Sequence, residues 1–224
     1  MQWVLLVLGL LLVWRYAWIM DDAFVYARYA DNFVLLDFGL VYNAGEYVEG
    51  YTSPLWMLWL VLLRSLGVSF WWAWLGTGLV AFTAAWWLLV QVDDALTPGK
   101  IRVHLPMAYL AGNYAVASWF TSGLETPLLQ LAAVGYALYL VRPRSRVAQV
   151  IVGLSPLVRP ELLAALVVVV VLTVIRQRKP PWIVLAIAGA TQLGWLAFRI
   201  WYYADLLPNT FYLKDITWVG QGLA

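Results

Sequence analysis

The chain has 224 residues, of which 64% are hydrophobic and only 12% charged, with 15 Trp and no Cys. Its mean hydropathy of +0.79 excludes an ordinary soluble domain and a disulfide scaffold, and a net charge of +2 gives no footprint for nucleic acid. Apolar runs separated by short polar loops predict an all-α, multi-pass membrane protein.

In chain order the runs cover residues 3–20, 54–66, 70–92, 103–120, 127–141, 147–158, 162–175 and 182–200. The first lacks a basic leader and a small-residue cleavage site, so it reads as an uncleaved helix rather than a signal peptide. A bilayer crossing takes about 20 residues, and runs of about 10–14 are more often interfacial. Both 54–66 and 147–158 are short, and loop charge decides between them. If 54–66 lies along the surface, seven helices cross, and loops 93–102, 142–146 and 176–179 share one side. Those loops carry Lys100, Arg102, Arg142, Arg144, Arg146, Arg176, Arg178 and Lys179, eight of the 14 basic residues, with only Asp93 and Asp94 among the acids. The positive-inside rule puts them in the cytoplasm, with the amino terminus.

The other ten acids then face outward. The first outer loop, 21–69, is the largest non-spanning part. Residues 22–36 (DAFVYARYADNFVLL) have the spacing of a surface helix. Residues 39–50 (GLVYNAGEYVEG) read as turn, short extended piece and turn, and Pro54 opens a second surface helix. No internal repeat, linker or low-complexity tail is visible, so 1–224 is expected to form one module.

Six segments resemble a known family. They are Asp21-Asp22 followed by RYA (28–30), GLVYN (39–43), EYVEGYTSPLW (46–56), SGLETPL (122–128), VRPE (158–161) and YYADLLPNTFYLK (202–214). In this order they are similar to the GT-C glycosyltransferases, above all the mycobacterial terminal arabinofuranosyltransferases and their bacterial relatives. The resemblance implies a seven-helix catalytic module with two juxtamembrane helices in the first outer loop. It also implies a sugar donor carried on polyprenyl phosphate in the bacterial cytoplasmic membrane, with the site facing outward. Members commonly continue into further helices and a periplasmic domain, so acceptor binding is expected to need more than this module.

The chemistry follows from the residues as well. Moving a sugar from a lipid phosphate to a hydroxyl needs a base, cations for the phosphate and a dry site at the membrane edge. Asp21 and Asp22 leave the first helix at that depth and are the candidate base; their plain alternative is helix capping. Glu125, after a Ser-Gly turn and before Pro127, reads either as helix-start chemistry or as a third catalytic carboxylate. Glu46, Glu49 and Tyr51 stand in the Gly-rich motif as candidate sugar contacts, and the acids there leave room for a divalent metal.

Arg159 and Glu161 frame an outer turn. They form either an internal ion pair or, through the guanidinium fork, a phosphate grip. Arg199, Tyr202, Asp205, Asn209 and Lys214 follow the last helix as further donor contacts, with snorkelling as the plain reading of Arg199. Asp93-Asp94 falls on the cytoplasmic side and His104 is the lone histidine, so neither is assigned to the site. The expected partners are membrane lipid, the polyprenyl-phosphate donor and an envelope glycan acceptor, with no nucleic acid. The alternatives are a non-catalytic transporter or lipid-binding protein, or a degenerate transferase that needs a partner. Almost no ionisable residue lies mid-helix, which disfavours a transporter.

Overall fold

A computed structural model describes residues 2–97 and 105–212, and among these the secondary structure is entirely helical. The helices in order are α1 (Gln2–Arg15), α2 (Ala23–Val34), α3 (Pro54–Ser65), α4 (Phe70–Leu96) and α5 (Leu105–Gly112). After them come α6 (Tyr114–Trp119), α7 (Thr126–Val141), α8 (Arg146–Val158), α9 (Leu162–Gln177) and α10 (Trp182–Tyr203). Helices α4, with 27 residues, and α10, with 22, are long and apolar enough to cross a membrane. Helices α1, α3, α7, α8 and α9 are apolar but shorter.

Local chemistry sets several of the boundaries. Pro54 occupies the first turn of α3, where its missing N–H costs nothing. Ser145 accepts a hydrogen bond from Ala148 N and starts α8. Pro156 inside α8 cannot donate to Val152 O, and the Ser155 hydroxyl does so at 2.8 Å instead. Tyr136 on α7 completes the arrangement with a 2.8 Å contact to the same Ser155 hydroxyl.

Two expected helices come out differently. The apolar run 3–20 stops being helical after Arg15. Its last residues serve α6 and the turn that follows it: Trp18 Nε1 donates to Ser118 O at 3.0 Å and Met20 N to Ser122 O at 2.9 Å. Tyr16 and Trp18 also pack edge-on against Tyr114 and Trp119. The run 103–120 is divided at Asn113, whose side chain accepts from Val116 N at 3.1 Å and begins α6 afresh. The short extended piece expected within 39–50 forms no strand.

Three apolar clusters hold the helices together. One joins α1, α4 and α5 around Val13, Phe82, Met107 and Phe120. A second joins α4, α7, α8, α9 and α10 around Leu88, Leu138, Val152, Val169 and Val184. The third gathers the segment 21–69, with Tyr26, Tyr29, Leu40, Tyr51, Trp56 and Met57 packed against Trp74, Leu157 and Trp195. This last cluster sits where the polar segments meet.

Candidate functional site

Four segments far apart in sequence converge at one end of the helices: 18–53, 118–125, 159–161 and 195–209. The joint between α1 and α2 seats on the Ser-Gly turn before α7. Gly123 there has φ +82°, and a Cβ on it would stand 2.5 Å from Ala23 Cβ. Trp56 Nε1 donates to Gly123 O at 3.0 Å and fixes α3 on the same turn. The SGLETP motif thus works as a socket for both α2 and α3.

Asp22 is the residue before α2, and its carboxylate makes no capping hydrogen bond. Asp21 Oδ1 instead accepts from Asp22 N at 3.0 Å. Both side chains are exposed, and the carboxylate of Asp22 has no hydrogen-bond partner among the described residues. The capping explanation therefore does not account for Asp22.

One helical turn onward along α2, the Tyr26 hydroxyl donates to Glu125 Oε2 at 3.3 Å. Burial, and then the Glu125 charge, push the Tyr26 hydroxyl well above its ordinary range, so it stays a donor. Glu125 is 4% exposed and makes no cap hydrogen bond, so it is not simple helix-start chemistry either. Its Oε1 accepts from Arg159 at 2.5 Å. Burial lowers the Arg159 guanidinium, but the hydrogen bond and charge of Glu125 outweigh it and hold the group firmly protonated. Glu161, largely exposed, lies on the other side of Arg159 at 3.4 Å. Both readings of Arg159 stay in play: it is ion-paired, and its side chain is still 38% exposed.

A second buried pair lies behind the loop. Glu49 is 3% exposed and is gripped from two sides by Arg199, with Trp195 Nε1 donating to the same carboxylate at 3.2 Å. Burial raises Glu49 above the usual carboxylate range, more than Arg199 lowers it. The remaining reach of Arg199 goes to Leu206 O at 3.0 Å. Each of the nitrogens of Arg199 is thus committed to protein atoms, so it neither snorkels nor offers a free fork to phosphate. Glu49 likewise faces inward rather than toward a sugar.

The aromatic residues of the last motif act as a latch. Tyr202 OH accepts from Leu40 N, and Tyr203 OH donates to Leu40 O, both at 2.7 Å. Tyr51 OH lies 3.0 Å from Tyr203 OH. Gly39, at φ +87°, lets the chain pass Tyr202, since a Cβ would come within 2.3 Å of that hydroxyl. From the other side Tyr29 OH, pushed up to about 12 chiefly by burial, donates to Val48 O at 2.7 Å and accepts from Gly50 N. Asn209 N donates to Glu49 O at 2.9 Å. Asp205 folds back on its own turn and accepts from Tyr212, and that bond holds its carboxyl below the usual range.

Glu46 is exposed and accepts from Asn43, whereas Glu49 is buried. Among the described residues no three acids or histidines gather as a metal-ligand set. Lys214, His104, Lys100 and Arg102 lie outside the described residues. Sequence reading missed Tyr26, Tyr29, Trp195 and Tyr203. Tyr26 was accessible in principle, because a helix starting at Asp22 puts residue 26 on the same face one turn later.

Comparison with known proteins agrees with a transferase. The chain is 28% identical to the terminal beta-(1->2)-arabinofuranosyltransferase of Mycobacterium tuberculosis over 90% of its own length, and 29% identical to the enzyme of that name in Corynebacterium glutamicum over 93%. It spans only about a third of those relatives, 36% and 35% respectively. No family model matches the chain, and no solved structure matches it. The chain is related in sequence to glycosyltransferases.

Proposed function

We propose that this chain is the membrane-embedded, GT-C-like module of a glycosyltransferase. It would take a sugar, such as arabinofuranose, from a polyprenyl-phosphate donor to a glycan acceptor on the outer face of the bacterial cytoplasmic membrane. The observation that carries the proposal is the Tyr26–Glu125–Arg159 chain at one end of apolar helices, with the Asp22 carboxylate one helical turn before Tyr26 and unpaired among the described residues. The likeness to two arabinofuranosyltransferases supports the sugar. Seven spans, with α2 and α3 lying in the interface, are part of the same proposal. In it α5 and α6 together make one span, and α1, α7, α8 and α9 cross as short helices.

The reaction needs an acceptor O–H to attack the anomeric carbon while the bond from that carbon to the lipid phosphate breaks. The phosphate keeps the electron pair, and the hydroxyl proton passes to a base. Asp22, exposed and without a protein partner, is suited to that role, with Asp21 beside it. Arg159 is suited to the leaving phosphate, and Glu125 with Tyr26 fixes its orientation rather than acting on the sugar. Glu161, Glu46, Asp205 and Asn209 remain available for hydroxyl contacts. Glu49, Arg199, Tyr51 and Tyr202 hold the loop that covers the site.

The test is transfer by detergent-purified protein supplied with a panel of polyprenyl-phosphate sugars and nucleotide sugars. Turnover with a lipid-linked pentofuranose is expected. Turnover with a nucleotide sugar and with no lipid-linked donor would overturn the proposal. Because the chain covers only a third of its relatives, a second reading has support: donor binding resides here, while acceptor binding needs further protein. Donor hydrolysis without transfer would distinguish it.

A further inference from the structure

The end of the molecule opposite Asp22 carries a concentrated positive charge that the transfer chemistry does not use. Two loops meet there, flanking the start of α8. One links α7 to α8 and holds Arg142, Arg144 and Arg146; the other follows α9 and holds Arg176, Arg178 and Lys179. The packing beneath brings them together, since Tyr139, Ala148, Val169 and Val184 share one buried cluster. Five of the six cations are exposed and Arg142 is partly so. Among the described residues, none of the six makes an ion pair or a side-chain hydrogen bond.

Loop orientation by positive charge accounts for the side on which such residues fall, but not for six cations in adjoining loops that make no ion pair among the described residues. Mutual repulsion at this density favours an external anion. Trp182 marks the depth. It opens α10 three residues after Lys179 and is 71% exposed, as an aromatic at the headgroup level is. Five of the six groups are arginines, whose planar forks match a phosphodiester in two-point contact.

We propose that Arg142, Arg144, Arg146, Arg176, Arg178 and Lys179 form a binding surface for anionic phospholipid headgroups. The inference rests on the membrane reading of the chain but not on its transferase activity. Each cation near an anionic surface contributes about 1 kcal/mol, or about fivefold in affinity.

The experiment reconstitutes the purified chain into vesicles of phosphatidylcholine alone or mixed with phosphatidylglycerol, and counts co-purifying phosphatidylglycerol by native mass spectrometry. The protein is expected to insert into both and to retain phosphatidylglycerol, less so as salt rises. The R144Q/R146Q/R176Q/R178Q variant is expected to insert equally and lose that enrichment. Should it fail to fold, the pairs R144Q/R146Q and R176Q/R178Q are each expected to lose about 25-fold. Equal enrichment in wild type and variants would overturn the lipid surface while leaving the membrane reading intact. Failure to insert into either vesicle would overturn both.

Discussion

Glu49→Ala gives a direct measure of how the loop between α2 and α3 is held. The substitution leaves Arg199, whose side chain is 13% exposed, as a buried charge without its counter-ion. It also strips Trp195 Nε1 of its acceptor. Removing one partner of a buried pair costs about 3–5 kcal/mol. At about 2–4 °C per kcal/mol for a chain of this size, the melting temperature should fall by roughly 6–20 °C. Thermal unfolding in detergent, followed by size-exclusion fluorescence, reads this directly. The same reasoning makes a second, opposite prediction. Burial outweighs Arg199 in its effect on the Glu49 carboxyl, so the pair is held at a desolvation cost. Glu49→Leu combined with Arg199→Leu should therefore recover most of the lost stability.

The pH dependence follows from the sign of that shift. A carboxyl whose folded pKa is raised contributes stability that is full below its unfolded value and is lost as pH rises through the folded one. Glu49→Gln removes this titration. Its melting temperature relative to wild type should thus climb as pH rises above the ordinary carboxylate range. A fall of under about 2 °C for Glu49→Ala, or a flat difference curve for Glu49→Gln, would refute the account of a strained buried pair.

Asp22→Asn should cut sugar transfer by about 10²–10⁴ with an unchanged melting temperature, because the carboxylate makes no structural hydrogen bond; Asp93→Asn is the matched control, expected to transfer normally. Gly123→Ala should lower stability by about 1–3 kcal/mol, since φ is +82° and the new Cβ meets Ala23, and a wild-type melt would show the turn to be looser than drawn. Cysteines placed at Ala95 or Ser145 in this Cys-free chain should label only from the cytoplasmic side, and outside labelling of either would break the seven-span proposal. Lys214→Ala should raise the KM for the lipid-linked donor more than it lowers kcat, and an unchanged KM would remove it from phosphate binding.

The helices were legible in the sequence because apolar runs and their punctuation are local signals. Asp22 and Pro54 mark starts that the structure places within a residue. The exceptions have tertiary causes. Residues 16–20 are as apolar as those before them, yet they leave α1 because Ser118 and Ser122 offer backbone partners 100 or more positions away. Asn113 divides one apolar run, and an isolated Asn in such a run gives no sign of whether it will cap or face solvent. The site shows the same contrast. The motifs named the residues that would meet, but not their pairings. Glu125 joins Arg159 across 34 positions and Glu49 joins Arg199 across 150, and no spacing rule reaches that far.

Those pairings alter the roles available to each residue. Before the structure, Arg159 and Arg199 were equivalent candidates for the donor phosphate. Arg199 spends its nitrogens on Glu49 and Leu206, whereas Arg159 keeps an exposed side beside Glu125 and Glu161. Glu125 was a candidate catalytic carboxylate and Glu49 a candidate sugar contact, and each is the buried partner of an arginine. What remains unengaged at this end is Asp22, with Asp21 beside it. Beside Arg159 stand two acids, Glu125 and Glu161, a balance of charge that repels a lipid phosphate unless further positive charge joins it. Lys214, at the end of the last motif, is the cation of this chain best placed in sequence to supply it, which is why its loss should appear in donor binding first.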